Sequence, residues 1–317
     1  MAADQVPTRV EMRTSKALTR FSWVTLALNI GVIAWGAYVR ATGSGAGCGS
    51  HWPLCNGTVL PRTASSQTLI EYTHRLTSGL AFFAVVVLVI WCWRATSKGA
   101  WPRWSVAFAL AGMLNEALLG ALLVKFNYVG QNASVARAVF LSLHFANTLF
   151  LLACLAVSAY LLSGRSRNTL AAKKSELFLV AVSLLAIAIV GVTGSLAALG
   201  DTLFPAPSLT AAFHQDLAST SFYLLRLRFL HPLAALLGAS YVVWLLLTRF
   251  RRSQRLVGIS TALGIVLALQ VGIGAANVLL LAPVWLQLVH LVAGDTLWIT
   301  LVLLSADFLL VEPLQHA

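Results

Sequence analysis

Residues 177–199, LFLVAVSLLAIAIVGVTGSLAAL, run for 23 positions without a charged side chain. At 1.5 Å per helical residue such a run reaches about 34 Å, enough to cross a hydrocarbon core of about 30 Å. Seven further runs share this character, near 21–40, 70–93, 104–125, 138–162, 227–249, 256–281 and 285–310. The chain of 317 residues is 59% hydrophobic and only 10% charged, against about a quarter charged in soluble domains. So few charges cannot cover a water-facing surface, and the bilayer must solvate most of it. The expected fold is an all-α membrane protein with eight transmembrane helices. The net charge of +12 does not point to nucleic acid, because the basic residues lie in short clusters between the apolar runs.

Those clusters alternate. Arg94, Lys98 and Arg103 follow the second span; Arg165, Arg167, Lys173 and Lys174 follow the fourth; Arg249, Arg251, Arg252 and Arg255 follow the sixth. The connectors after spans one, three, five and seven are poorer in Lys and Arg. By the positive-inside rule both termini face the cytoplasm, and the chain sits in the cytoplasmic cell membrane. Residues 1–20 are polar and basic (Arg9, Arg13, Lys16, Arg20), and the apolar run after them is too long for a signal-peptide core. The first span is therefore expected to remain as an anchor. Pro283 leaves only a tight turn between spans seven and eight.

The two halves read as copies. Span one ends in Arg40-Ala41-Thr42-Gly43-Ser44 and span five carries Thr193-Gly194-Ser195; Glu116 to Ala121 in span three matches Gln270 to Ala275 in span seven. Spans two and six each start with a histidine before a Gly-containing run (His74 with Gly79, His231 with Gly238), and spans four and eight carry His144 and His290. Matched positions lie roughly 150 residues apart, and an even number of spans per half makes the repeat parallel. The expected organisation is a cytoplasmic segment 1–20, a four-helix half 21–163 with an outer loop 41–69, a linker 164–176, a second four-helix half 177–311 and a tail 312–317. The halves are read as two pseudo-symmetric four-helix bundles.

An ionisable side chain inside a bilayer marks a functional site by default. Each of the four histidines lies in the first turns of an outside-to-inside span. Facing helices within one half can then offer imidazoles to both faces of a flat macrocycle, and bundle cores hold such cofactors. His74 and His144 would clamp one haem, and His231 and His290 another. The bland alternative is an interfacial histidine bonded to a backbone carbonyl; four at repeat-equivalent places argue against it. Zinc would want ligands clustered at short spacing. His51 and His214 fall in outer connectors and His316 in the tail, where solvated side chains are expected.

The first outer connector holds Cys48 and Cys55, able to close a disulfide on the oxidising side. A structural staple and a labile redox pair remain open as readings. Cys92 and Cys154 lie within spans as small apolar fillers. Glu71, three residues before His74, shares its helix face. A carboxylate there suits a ligand hydrogen bond, a proton relay or stabilisation of a cation, and equally a favourable place in the first helical turn. Arg228 takes the matching place before His231 and suits a haem propionate. Glu116 is matched by neutral Gln270 and reads as a buried hydrogen-bonding group or part of a proton path. Asp295 follows His290 by just over a turn, as a backbone or ligand contact.

The loop with Gly43-Ser44-Gly45, Cys48 and Trp52-Pro53-Leu54-Cys55, followed by Glu71-Tyr-Thr-His74-Arg75, resembles the haem A synthase family. His144, His231 and His290 fall where that family carries its other histidines, and the resemblance covers all eight spans. Many relatives have a Pro-Asp pair before the Trp-Pro, where this loop has Gly49-Ser50-His51. The resemblance implies an oxidoreductase that converts the C8 methyl of haem O to the formyl group of haem A for terminal oxidases. It implies His74 and His144 around the substrate haem, Glu71 as a catalytic carboxylate, and a permanent haem b on His231 and His290. The implied partners are haem O and haem A, the farnesyltransferase that makes haem O, and an electron donor. The alternatives are a bis-histidine membrane cytochrome b passing electrons from quinol, and a haem carrier without chemistry. An acid in one site only favours the synthase.

Overall fold

The computed structural model describes residues 15–61, 65–165, 173–218, 222–250 and 254–309. His316, the tail 312–317, Arg9, Arg13, Arg167, Arg251 and Arg252 lie outside them. Among the described residues the chain is all α-helical: α1 (Lys16–Ala41), α2 (Ser66–Ala95), α3 (Trp101–Lys125), α4 (Val135–Tyr160), α5 (Lys174–Leu203), α6 (Leu209–Leu217), α7 (Tyr223–Thr248), α8 (Val257–Leu279) and α9 (Val284–Leu309). Eight of these, all but α6, are long and apolar enough to cross a membrane, and they match the eight apolar runs.

Most helices begin a few residues before the apolar run does, because capping rather than hydropathy sets the start. The side chains of Ser15, Ser65 and Ser134 accept from the backbone N–H of Leu18, Thr68 and Arg137, satisfying donors that the first turn leaves free. The short α6 is capped in the same way by Ser208; too short and polar to span, it leaves no mark in the hydropathy pattern. Pro232 inside α7 follows His231 directly and lacks the N–H that would bond the carbonyl one turn back.

Helices α1 to α4 pack in a ring, α1 on α2 and α4, α2 on α3, and α3 on α4. Helices α5, α7, α8 and α9 do likewise, α5 on α7 and α9, α7 on α8, and α8 on α9. Between the two sets α1 and α4 meet α5 and α9. Across this seam the Trp298 indole donates to the Leu149 carbonyl at 2.8 Å. Leu88, Leu152, Leu155, Leu245, Leu263 and Leu301 are fully buried in one continuous core, while Phe83, Phe178, Leu236 and Leu237 face outward as lipid requires.

One end of the bundle gathers the starts of α2, α4, α7 and α9. Arg40, at the end of α1, reaches the Ala198 carbonyl of α5 and Gln287 of α9. Tyr223 at the start of α7 donates to Ala133 ahead of α4. The Cys48–Cys55 loop packs at the same end, against the start of α2. The last connection is tight as Pro283 suggested: Leu281 and Ala282 both take left-handed φ values of 58° and 52°.

Candidate functional site

The four histidines lie within the first three turns of α2, α4, α7 and α9, all at the disulfide end. Each stands against a glycine of a neighbouring helix. A β-carbon on Gly36 of α1 would come within 2.9 Å of His74 Cε1, one on Gly194 of α5 within 2.9 Å of His231 Cε1, and one on Gly274 of α8 within 3.0 Å of His290 Cε1. Gly120 of α3 stands looser, at 3.9 Å from His144 Cε1. The missing side chains are the space that the imidazole rings use. No hydropathy rule singles out these glycines, although Gly194 and Gly274 lie inside the repeated motifs.

In the second set of helices the ring centres of His231 and His290 are 6.2 Å apart, with planes at 79°. Two imidazoles sharing one metal through bonds of about 2 Å would have a comparable separation of ring centres. His231 Nδ1 lies 3.1 Å from the Val190 carbonyl, while His290 Nδ1 is buried without a hydrogen-bond partner. Among the described residues no three His, Cys, Asp or Glu side chains converge. Each pair supplies two nitrogens, the number that the axial positions of a haem accept. Glycine cradle, ring spacing and orphaned nitrogen all fit haem.

In the first set, His74 Nδ1 is also buried without a partner. His144 Nδ1 stands 2.6 Å from Glu116 Oε2, and Thr148 Oγ1 donates to Glu116 Oε1 at 2.8 Å. At the matching place in the second set Gln270 Nε2 is 3.4 Å from His290 Nε2.

Glu71 is buried and has both oxygens engaged. Oε2 accepts from the Cys48 N–H at 2.8 Å, and Oε1 accepts from Arg75 Nε at 3.1 Å and Nη2 at 2.5 Å. Arg75 goes on to donate to the carbonyls of His51 and Leu54 at 2.6 and 2.5 Å. Thr68 Oγ1 holds the Gly47 carbonyl. The acid and the arginine thus strap the cysteine loop onto α2 beside His74. The disulfide is formed, and Cys48 and Cys55 are 0% and 1% exposed. Loop closure over α2 screens the sulfurs, and exchange needs access for an attacking thiolate, which bears on the labile reading. Exposed His51 and His214 are placed as expected, although His214 sits on α6.

Arg228 pairs with two carboxylates, Asp201 of α5 at 2.8 Å and Asp216 of α6 at 2.5 Å. These pairs tie α6 across the end of α5 and α7. The two sets share a device with the charges exchanged. Where the first pins its loop by an acid three residues before the histidine, the second pins its own by a base at that place. Asp295 is buried, with Oδ2 unpartnered among the described residues.

A family model for cytochrome oxidase assembly proteins, COX15-CtaA, matches residues 19–302. A Thermus thermophilus protein named protoheme IX farnesyltransferase is 42% identical over 294 residues, 92% of this chain and 48% of its own. Proteins named heme A synthase are similar too. That of Halalkalibacterium halodurans is 38% identical over 130 residues, 41% of each chain. That of Lysinibacillus sphaericus is 28% identical over 247 residues, 74% of this chain and 77% of its own. The chain spans about half the length of the Thermus relative. With the family model running from α1 into α9 across all four histidines, the chain belongs to the COX15-CtaA family of cytochrome oxidase assembly proteins, the haem A synthase family.

Proposed function

We propose that the protein is a haem A synthase, oxidising the C8 methyl of haem O to a formyl group in the cell membrane. The reading is carried by the two histidine pairs, three of the four rings seated closely on a neighbouring helix's glycine, with different groups behind them. His74 and His144 hold the substrate haem O; His231 and His290 hold a resident haem b. The histidine end faces outward, and the halves 21–163 and 177–311 act as two related four-helix bundles.

Methyl to formyl is a four-electron oxidation, reached by two hydroxylations at one carbon, each consuming one O2 with two electrons and two protons from the donor side and releasing one water, and by loss of water from the resulting diol. Bound haem supplies the one-electron iron chemistry that no side chain here can provide. The chain's own part is to orient and exclude. His74 and His144, fixed against Gly36 and Glu116, set the plane of the macrocycle and so the place of its methyl group. The loop strapped by Glu71 and Arg75 closes the end of the first site. In this reading Glu71 serves first as the clasp of that loop, since both of its oxygens are already bonded. The Thermus relative carries a farnesyltransferase name on a chain about twice as long, which supports a farnesyltransferase as the partner that delivers haem O; an electron donor is the other partner.

Pigment analysis tests the reading. Full-length protein is produced in cells supplied with haem O, purified, and its haems extracted and separated. Haem A alongside haem b is the expected result. Haem b alone, with haem O present in the membranes, overturns the synthase in favour of an electron-passing cytochrome.

A further inference from the structure

Glu116 and Gln270 occupy equivalent places in the repeat but face different ring nitrogens, since Gln270 Nε2 lies 3.4 Å from His290 Nε2 and His290 Nδ1 has no hydrogen-bond partner among the described residues. Glu116 Oε2 is 2.6 Å from His144 Nδ1. Nδ1 has no other partner among the described residues, and a proton shared across that separation would leave the Nε2 lone pair of His144 free. Thr148, one turn beyond His144, holds the other carboxylate oxygen at 2.8 Å. The seam is fixed further by Asn147, which donates to the Gly112 carbonyl at 2.9 Å, and by Asn115, which donates to Asn147 Oδ1 at 2.9 Å. One turn beyond His290 stands Gly294 instead of a threonine, and a β-carbon there would come within 3.2 Å of Gln270 Nε2. The first site therefore has a carboxyl group with a dedicated holder. The second has a neutral amide filling the space where a holder would stand.

We propose that Glu116 is a positioning residue that makes His144 a strong donor to the substrate haem, and that the carboxylate or amide at this place sets the two sites apart. This rests on the reading of His144 as a ligand. A carboxylate behind an imidazole fixes its tautomer and raises its basicity as a ligand. Stronger donation favours the oxidised over the reduced iron. The site where a methyl group is to be oxidised thus receives the electron-rich imidazole, and the site that holds the resident haem receives the ordinary one.

The test is redox titration of the purified full-length protein, loaded with haem b and supplied with haem O, each haem followed by its own absorption band. Glu116→Gln is expected to raise the midpoint potential of the first haem by a tenfold change in its oxidation equilibrium, about 59 mV for one electron. The second haem should stay unchanged. Thr148→Val, which removes the donor that holds Glu116 Oε1, is expected to raise the potential of the first haem in the same direction by a smaller step and leave the second in place. If Glu116→Gln does not yield folded protein, Thr148→Val carries the test alone. An unshifted potential in a haem-loaded variant overturns the proposal. His144→Ala separates the levels: if it leaves the first haem's spectrum intact, the ligand assignment itself is wrong and the proposal falls with it. If that spectrum is lost while Glu116→Gln leaves the potential in place, only the proposal falls.

Discussion

Replacing Gly194 with Ala puts one methyl group where the structure has no room for it. The new carbon would stand 2.9 Å from His231 Cε1 and 3.2 Å from Nδ1. Ordinary contact begins near 3.4 Å, so the ring must retreat by about 0.5 Å. That distance matches the tolerance of roughly 0.5 Å within which a site's groups must be held. Overpacking of this kind costs roughly 1–3 kcal/mol. At about 1.4 kcal/mol per tenfold, haem b affinity should fall about fivefold to a hundredfold. Gly36→Ala and Gly274→Ala, with contacts of 2.9 and 3.0 Å, should act alike on their own sites. Gly31 lies in the same helix as Gly36 with nothing within 4 Å, and Gly120 has His144 only at 3.9 Å. Alanine at either should be tolerated, and at Gly31 it should stabilise the helix by up to about 1 kcal/mol. Haem per polypeptide, read from the absorption of purified full-length protein, separates the groups. A Gly194→Ala protein with full haem b and an unaltered spectrum would refute the idea that these glycines seat the ligands.

Two further outcomes follow from the straps. Cys48→Ala should lower thermal stability by about 2–4 kcal/mol, in the range of native disulfides, while turnover per folded molecule persists; turnover lost in a fully stable protein would instead assign the bridge a redox role. Arg40→Ala removes bonds to Ala198, Thr202 and Gln287 and should destabilise the protein by roughly 2–4 kcal/mol. Its melting temperature should fall without any change in the Cys48–Cys55 bridge, and an unchanged melting temperature would show that the junction does not depend on this arginine.

Much of the architecture is legible in the sequence because a membrane forces it. Eight long apolar runs can only be spanning helices, and the four histidines stand out because an ionisable group in such a run has no other cheap explanation. What stays hidden depends on neighbours distant in sequence. Gly36 looks like any small residue of a membrane helix until His74 is found lying on it. Arg228 reads as a group suited to a haem propionate; its pairing with Asp216 depends on α6, which is too short to register as a hydrophobic segment. Glu71, by its spacing from His74, reads as a group on the histidine's face or as a first-turn acid, and only the resemblance makes it catalytic. Its bonds to Cys48 and Arg75, 23 residues back and one turn on, place it in the fastening of the loop. Glu116 is visible in the sequence, but only the distance to His144 shows which partner it serves.

Gly36 and Arg40 are one turn apart on α1. The first backs His74; the second grips α5 one turn beyond Gly194 and α9 one turn before His290. A single helical turn is thus a rigid lever with one arm on each histidine pair. A small axial slide of α1 would disturb both pairs at once, with no need for side-chain relays between them. Mutations that loosen the seat of α1 should therefore be felt by both haems together, whatever half they are made in.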